Sequence, residues 1–366
     1  MKIICLQENL KNNLNITQNI IGRNLTLPIL NNLLLETEGG RLKISATNLE
    51  IGINTWTPGK IEKSGSITCP AKIFSSFVNN LPNKKVELEV KNNNLSIKCE
   101  NYKAGLRCLP AEDFPIIPKL KEPVLAEMKI NILKEGLSQV AGAAAVSELR
   151  PEISGVLLKF EKNSLRLAAT DSFRLAEKQT FDLSRVGESE KSLILPQRTA
   201  QELIRILGEQ EGEIKIISDG SQVLFDFKNG QVISRLIDGQ YPDYQQIIPK
   251  NYNTQITLER ESLLNIVRVA GLFSSKINDV KFSIQAGKLE VFSQDLDLGE
   301  NKSQLLAEVK GKNIEINFNY RYLLDGLGNM NTKQVLIGLT SESSPSVLHP
   351  VGDNSYLYVV MPIKNR

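Results

Sequence analysis

This chain of 366 residues is poor in arrangements of residues that make or break bonds. The one histidine, His349, stands in SVLHPV beside a proline, with no cysteine or carboxylate cluster near it to complete a metal site. It is expected to be an ordinary loop histidine at a strand edge. Asp295 and Asp297 in DLD have a spacing that could ligate a cation, but the matching places elsewhere in the chain read NLE (48–50) and DSF (171–173). A ligand pair would not vary so freely, so these residues are expected to shape a turn. Cys5, Cys69, Cys99 and Cys108 show no CxxC spacing and sit in strand-like apolar surroundings, as small buried hydrophobes do. There is no Walker loop, no GxSxG, and no GxGxxG opening a helix. The sequence therefore points away from catalysis, and it implies no metal and no cofactor. What it does offer is cationic contact: Lys72, Arg198 and Arg321 each lie two residues after the residue that opens a predicted helix, namely Pro70, Pro196 and Asn319.

Those three positions are equivalent because the chain repeats itself. ISATNLEIG (44–52) returns as LAATDSFRLA (167–176) and again as VFSQDLDLG (291–299). PILNNLLLETEGGRLKISATN (28–48) lies over PEISGVLLKFEKNSLRLAATD (151–171) without a gap. Leu34, Leu35, Leu42, Ala46 and Thr47 then fall on Leu157, Leu158, Leu165, Ala169 and Thr170. LPAEDFP (109–115) resembles LIDGQYP (236–242), and each precedes a Pro-bearing linker, PKLKEP and PKNYNT. Three domains follow, at 1–120, 121–250 and 251–366.

Within each domain, strands alternate. VELEV (86–90) places Val86, Leu88 and Val90 on one face, and EIKII, VLFDF, IEINF and VLIGL read likewise. Two stretches per domain break that period. QENLKNNLNITQNIIGR (7–23) and PAKIFSSFVNNL (70–81) have helical spacing, the latter with Ile73, Phe77 and Leu81 every four residues. Counterparts are expected near 131–150, 196–208, 260–276 and 319–330. The fold class is α+β, with two helices packed on antiparallel sheets in each repeated domain. A chain that is 41% hydrophobic and 23% charged can build real cores. No apolar run approaches membrane-spanning length, and MKIICLQENL turns polar too early for a secretory signal. A soluble cytoplasmic protein is expected.

The net charge of +3 is too small to advertise a nucleic-acid binder. Its distribution says more. The predicted helices hold Lys11, Arg23, Lys72, Lys134, Arg150, Arg198, Arg205, Arg260, Arg268, Lys276 and Arg321 against six acidic residues, so the remainder is expected to be slightly acidic. A basic residue kept in register in three copies suits a shared surface facing phosphate. Few aromatics accompany these positions, so neither base readout nor stacking on single strands is indicated.

RNLTLPILNNLLLE, AATDSFRLA, DGQYPDYQQIIPK and YVVMPIK, in that order along the whole chain, resemble the bacterial sliding-clamp family, the beta subunits of DNA polymerase III. The resemblance implies a DNA-clamp fold that forms a head-to-tail homodimeric ring around double-stranded DNA without regard to sequence. It implies that the ring is placed by an ATP-driven clamp loader and tethers the replicative DNA polymerase, along with other clamp-binding replication and repair proteins. DNA-facing residues would be Arg23, Lys72, Arg150, Arg198, Arg205, Lys276 and Arg321. A partner-peptide pocket between the second and third domains would draw on Ile153, Thr170, Ser172, Arg174, Leu175, Pro242, Ile247, Asn319 and Tyr322. Val359, Val360, Met361, Pro362 and Ile363 of the terminal segment would complete it. Leu106, Leu272 and Phe273 would lie at the dimer interface. Where some relatives have Gly-His-Arg this chain has Ser172, Phe173 and Arg174, and Gln245 and Gln246 follow PDY, which bears on peptide preference. Asn24 stands where relatives often have a basic residue. The rival reading is a DNA- or protein-binding scaffold of the same fold that never closes.

Overall fold

The computed structural model describes all residues except 23–26, 148, 187–189, 209 and 365–366. The described residues form six α-helices: α1 Gln7–Thr17, α2 Ala71–Asn79, α3 Ile130–Val140, α4 Gln197–Leu207, α5 Arg260–Gly271 and α6 Tyr320–Gly328. They also form twenty-six strands gathered into sheets of thirteen, nine and four. The described strand pairs are antiparallel, and the alternation of VELEV holds, with Val86 and Leu88 fully buried and Glu87 and Glu89 on the wetter face.

The chain gathers into two compact units. One collects Met1–Asn131 and Glu202–Leu236, and the other collects Ile132–Leu183 and Ile237–Arg366. The middle repeat is thus shared between them, and the reason lies in the strand ladders. In the first unit, Ile51–Lys63 pairs with Gly230–Arg235 from Thr55 opposite Gly230 to Ile51 opposite Ser234. In the second, Arg174–Thr180 pairs with Tyr356–Val360 from Arg174 opposite Val360 to Lys178 opposite Tyr356. In each case the strand that follows the repeated motif takes as its neighbour the closing strand of the next repeat. The sheet runs on through the junction.

The three motif turns are built alike. Asn48 Oδ1 accepts the amides of Glu50 and Ile51, Asp171 Oδ1 accepts those of Phe173 and Arg174, and Asp295 Oδ1 accepts those of Asp297 and Leu298. This side-chain mimic of a backbone turn launches the strand after it. The DLD aspartates are turn formers, and no group of three or more metal-ligating side chains occurs among the described residues.

Several helix expectations are corrected. α2 buries Ala71, Phe74, Ser75 and Val78 while Ile73 is 59% exposed, so its inner face is rotated from the Ile73–Phe77–Leu81 row. α3 stops at Val140, well short of 150, and Arg150 lies outside any helix, at φ −130° and ψ 68° before Pro151. α5 stops at Gly271, and Lys276 lies in the turn beyond it. The helices therefore carry eight basic and five acidic residues, the whole net charge of +3, and the rest of the chain is balanced, not acidic. His349 is within the strand Ser346–Pro350, not a loop, and its Nε2 lies 3.1 Å from the Tyr252 hydroxyl. Burial lowers its pKa.

All four cysteines are free and buried. Burial pushes the Cys5 thiol to about 12 and Cys69 well above its ordinary value. The thiolate is the nucleophile, and at pH 8 a thiol of pKa 12 is ionised in about one molecule in ten thousand. Iodoacetamide at pH 8 should leave Cys5 and Cys69 unmodified in the folded protein and alkylate both in urea, as read by mass spectrometry. Equal rates in the two conditions would contradict the burial described.

Candidate functional site

In the second unit the turn after strand Ser164–Thr170 is locked from several sides. Thr170 Oγ1 donates to the Arg174 carbonyl at 2.7 Å and accepts the Ser172 amide at 3.2 Å. Ser172 is held at φ 78°, the left-handed region that non-glycine residues adopt at a cost. The Arg174 guanidinium donates from Nε to Asp171 at 3.0 Å, from Nη2 to the Gly142 carbonyl at 2.8 Å, and from Nη1 to Asp325 of α6. It also lies 4.7 Å from the ring centroid of Tyr322. Burial opposes the Arg174 charge, but Tyr358, Asp171 and Asp325 outweigh it and raise the pKa above the ordinary value.

Beside this turn opens a groove of about 880 Å³. Ser172 and Phe173 form one wall, Ile277, Asp279, Asn317, Asn319 and Tyr322 another, and Met361 to Lys364 run along it. The terminal segment is pinned to both sides, the Met361 amide donating to the Phe173 carbonyl and the Ile363 amide to the Asn317 carbonyl, each at 2.8 Å. The groove is mostly apolar with some polar lining, which suits a short peptide.

Of the residues expected in a peptide pocket, six line this groove: Ser172, Asn319, Tyr322, Met361, Pro362 and Ile363. Thr170 and Arg174 shape its turn. Leu175 and Val359 belong to a buried cluster with Leu157, Ala168, Tyr244 and Val347, and Ile153 and Val360 are buried as well. Pro242 lines a separate cleft of about 350 Å³ with Tyr241 and Tyr244, and Ile247 is 46% exposed at the end of the turn Tyr244–Ile247. That turn is anchored by the Tyr244 hydroxyl, which donates to Glu177, itself paired with Arg166 at 2.9 Å. Phe173, Ile277, Asp279, Asn317 and Lys364 were not anticipated as wall residues. Asn317 had a signal, being two residues before Asn319 on the same strand face. Asp279 had none, since it meets Asn319 only through strand pairing.

Lys72, Arg198 and Arg321 are the second residues of α2, α4 and α6, and all three are exposed. None of these helices has an acidic residue in its first turn, and α6 is capped by Asn319 Oδ1 accepting the Arg321 amide at 3.0 Å. A cation there opposes the helix dipole and weakens the helix by some tenths of a kcal/mol, while concentrating positive potential at one end. Lys276 is exposed. Arg205 is committed locally: its Nη1 and Nη2 donate to the Asn15 and Ile16 carbonyls, each at 2.9 Å, closing the end of α1. Arg150 reaches Ser172 Oγ at 3.0 Å and Glu152 at 3.2 Å, so it stands at the groove's turn and not on a helix. Arg23 lies outside the described residues. Leu106 is on the strand Tyr102–Arg107, and Leu272, 69% exposed, and Phe273 follow α5 directly.

Three tandem α+β repeats, each with two helices, joined by sheets that continue through the junctions, define a three-domain clamp fold. The chain belongs to the DNA polymerase III beta subunit family, matching its N-terminal domain over 1–118, central domain over 127–243 and C-terminal domain over 245–364. It is 32% identical to the beta sliding clamp of Synechococcus elongatus over the full length of both, and 30% identical to that of Synechocystis sp. over all of this chain and 99% of the other. It is similar to the solved DNA polymerase sliding clamp of Bacillus subtilis, with a TM-score of 0.95 at 26% identity. For the beta subunit from Thermotoga maritima the TM-score is 0.93 at 26% identity, and each comparison covers 100% of both chains.

Replacing Arg174 by Met leaves Asp171, Asp325 and the Gly142 carbonyl short of a partner, at a cost of about 2 kcal/mol. Urea unfolding should show a clearly lowered midpoint for Arg174→Met and a shift within about 0.5 kcal/mol for the exposed Lys72→Met. Equal midpoints for the two variants would contradict the bracketing role of Arg174.

Proposed function

We propose that this protein is a sliding clamp: two copies joined head to tail close a ring around double-stranded DNA. The observation that carries this is a pair of open sheet edges. Gly299–Leu306, which follows the third copy of the motif, ends its sheet and, among the described residues, pairs only with Lys288–Asp295. Tyr102–Arg107, the closing strand of the first repeat, also ends its sheet and, among the described residues, pairs only with Asn94–Cys99. At both internal junctions of a chain strands of these two kinds are partners, so the same pairing between two copies supplies the two junctions between chains that complete the six of a ring. A heterologous contact of this sort makes a ring when its rotation closes, and six similar repeats make the rotation regular. Partly exposed Leu106 and exposed Leu272 are then covered by the partner. Domain boundaries at 1–120, 121–250 and 251–366 belong to this reading and are supported by the sequence repeat.

Lys72, Arg198, Arg321 and Lys276 face phosphate in this reading, and Arg23 joins them. Arg150 and Arg205, engaged in local contacts, contribute through the field more than by direct contact. A ring cannot leave duplex DNA sideways, so weak, salt-sensitive contacts indifferent to sequence are enough, and the ring slides. The groove beside Ser172 takes short peptides from the replicative polymerase, the clamp loader and other replication and repair proteins, with Ile153, Leu175, Pro242, Ile247, Val359 and Val360 as its base and flank. Tethering raises the effective concentration of the polymerase without adding chemistry. The protein is a non-catalytic, cytoplasmic accessory subunit. Among the described residues, no helix is long and apolar enough to cross a membrane.

The test is topological. After loading, the protein should remain on closed circular DNA through gel filtration and leave when one restriction cut opens the circle. Equal retention on circular and cut DNA would favour an open scaffold. Lys72→Glu, Arg198→Glu and Arg321→Glu together should weaken DNA binding and flatten its salt dependence, with peptide binding intact. An unchanged salt slope would remove these three helix ends from the DNA path.

A further inference from the structure

The first unit repeats the motif turn and the junction strand that flank the groove, with different chemistry on the lip. Its register is set by main-chain bonds. The Arg235 amide donates to the Glu50 carbonyl at 3.0 Å, as the Met361 amide does to the Phe173 carbonyl at 2.8 Å. Gly52 stands opposite Ile233 as Leu175 stands opposite Val359. Leu49 holds the left-handed conformation at φ 75°, as Ser172 does at 78°. The linkers agree at both ends, FPIIPK (114–119) against YPDYQQIIPK (241–250), and differ by the four residues DYQQ. Ile116 and Ile117 thus correspond to Ile247 and Ile248.

The shorter linker leaves a cleft of about 210 Å³ bordered by Leu49, Glu50, Ile116, Ile117, Ile233 and Arg235. Where Leu175 fills its surroundings with its own side chain, Gly52 has none, and Ile117 Cγ2 lies 2.8 Å from where a Cβ would be. The linker therefore closes the floor and leaves room for one aliphatic side chain. Exposed aliphatic side chains, Ile116 at 94% and Leu49 at 46%, stand at the mouth beside the polar Glu50 and Arg235. Arg235 occupies the position of Met361, is exposed, and makes no ion pair among the described residues. Glu50 replaces Phe173 and disfavours a run of acidic residues.

We infer that this cleft is a second peptide site, taking an extended segment that presents one aliphatic side chain followed by a carboxylate, which Arg235 receives. The inference rests on the reading of the larger groove as a peptide site. Aliphatic burial supplies attraction, and the guanidinium fixes direction along the lip.

The test uses the full chain with isoleucine δ1-methyl groups labelled by carbon-13, titrated with the probe acetyl-Gly-Leu-Asp-Gly-amide. The methyl signals of Ile116, Ile117 and Ile233 should move saturably, and Arg235→Glu should weaken that binding about tenfold or more. Signals that stay fixed to millimolar probe, or move equally in Arg235→Glu, overturn the inference. The methyls of Ile277 and Ile363 report the larger groove in the same spectra. If they stay fixed with a polymerase-derived peptide, the larger-groove reading fails on its own, whatever the first cleft does.

Discussion

The open edge of a β-strand is the constraint on which this architecture turns. A strand with one free side presents a row of unpaired amides and carbonyls, and proteins either cover such edges or pair them. Here the strand after each motif turn is a donor edge and the closing strand of each repeat is an acceptor edge. Two of the three donors find their acceptors within the chain, at Ile51–Lys63 with Gly230–Arg235 and at Arg174–Thr180 with Tyr356–Val360. Because these ladders are as dense as those inside a repeat, contacts divide the chain into two units although the sequence repeats three times. The remaining donor and acceptor, Gly299–Leu306 and Tyr102–Arg107, are left at sheet ends.

The motif turn is the device that sets this up. One side-chain oxygen, from Asn48, Asp171 or Asp295, accepts two amides and aims the next strand. Once the turn is fixed, neighbouring residues are free to specialise. In the second copy Arg174 fastens Asp171, Asp325 and the Gly142 carbonyl around a wide groove, and the terminal segment is laid along it. In the first copy the same frame is closed by Ile117 over Gly52. In the third, Leu296 is left 98% exposed in the turn before the end strand Gly299–Leu306.

Much of this was legible in the sequence, because repeats and short-range turn chemistry leave marks that survive without an alignment. The three basic residues at the second position of α2, α4 and α6 were found by register alone. So was the turn role of DLD. What the sequence concealed depends on long-range geometry. Arg150 was expected on a helix near 131–150, but α3 ends at Val140 and a short turn at Ala141–Ala143 takes the chain out of it. Arg205 was read as a surface cation, and only the approach of α1 shows that its charge closes a helix end. Ile277 and Asp279 reach the groove by strand pairing and loop packing that no local spacing records. The rotated face of α2 shows how two overlapping rows, Ile73–Phe77 and Phe74–Val78, cannot be separated until the helix docks.

Cryo-electron microscopy of the purified protein across a dilution series tests the central claim most directly. The account requires particles of two chains enclosing an open centre, with Tyr102–Arg107 of one copy beside Gly299–Leu306 of the other at both contacts. Single chains at every concentration, or pairs joined through any other surface, would contradict it.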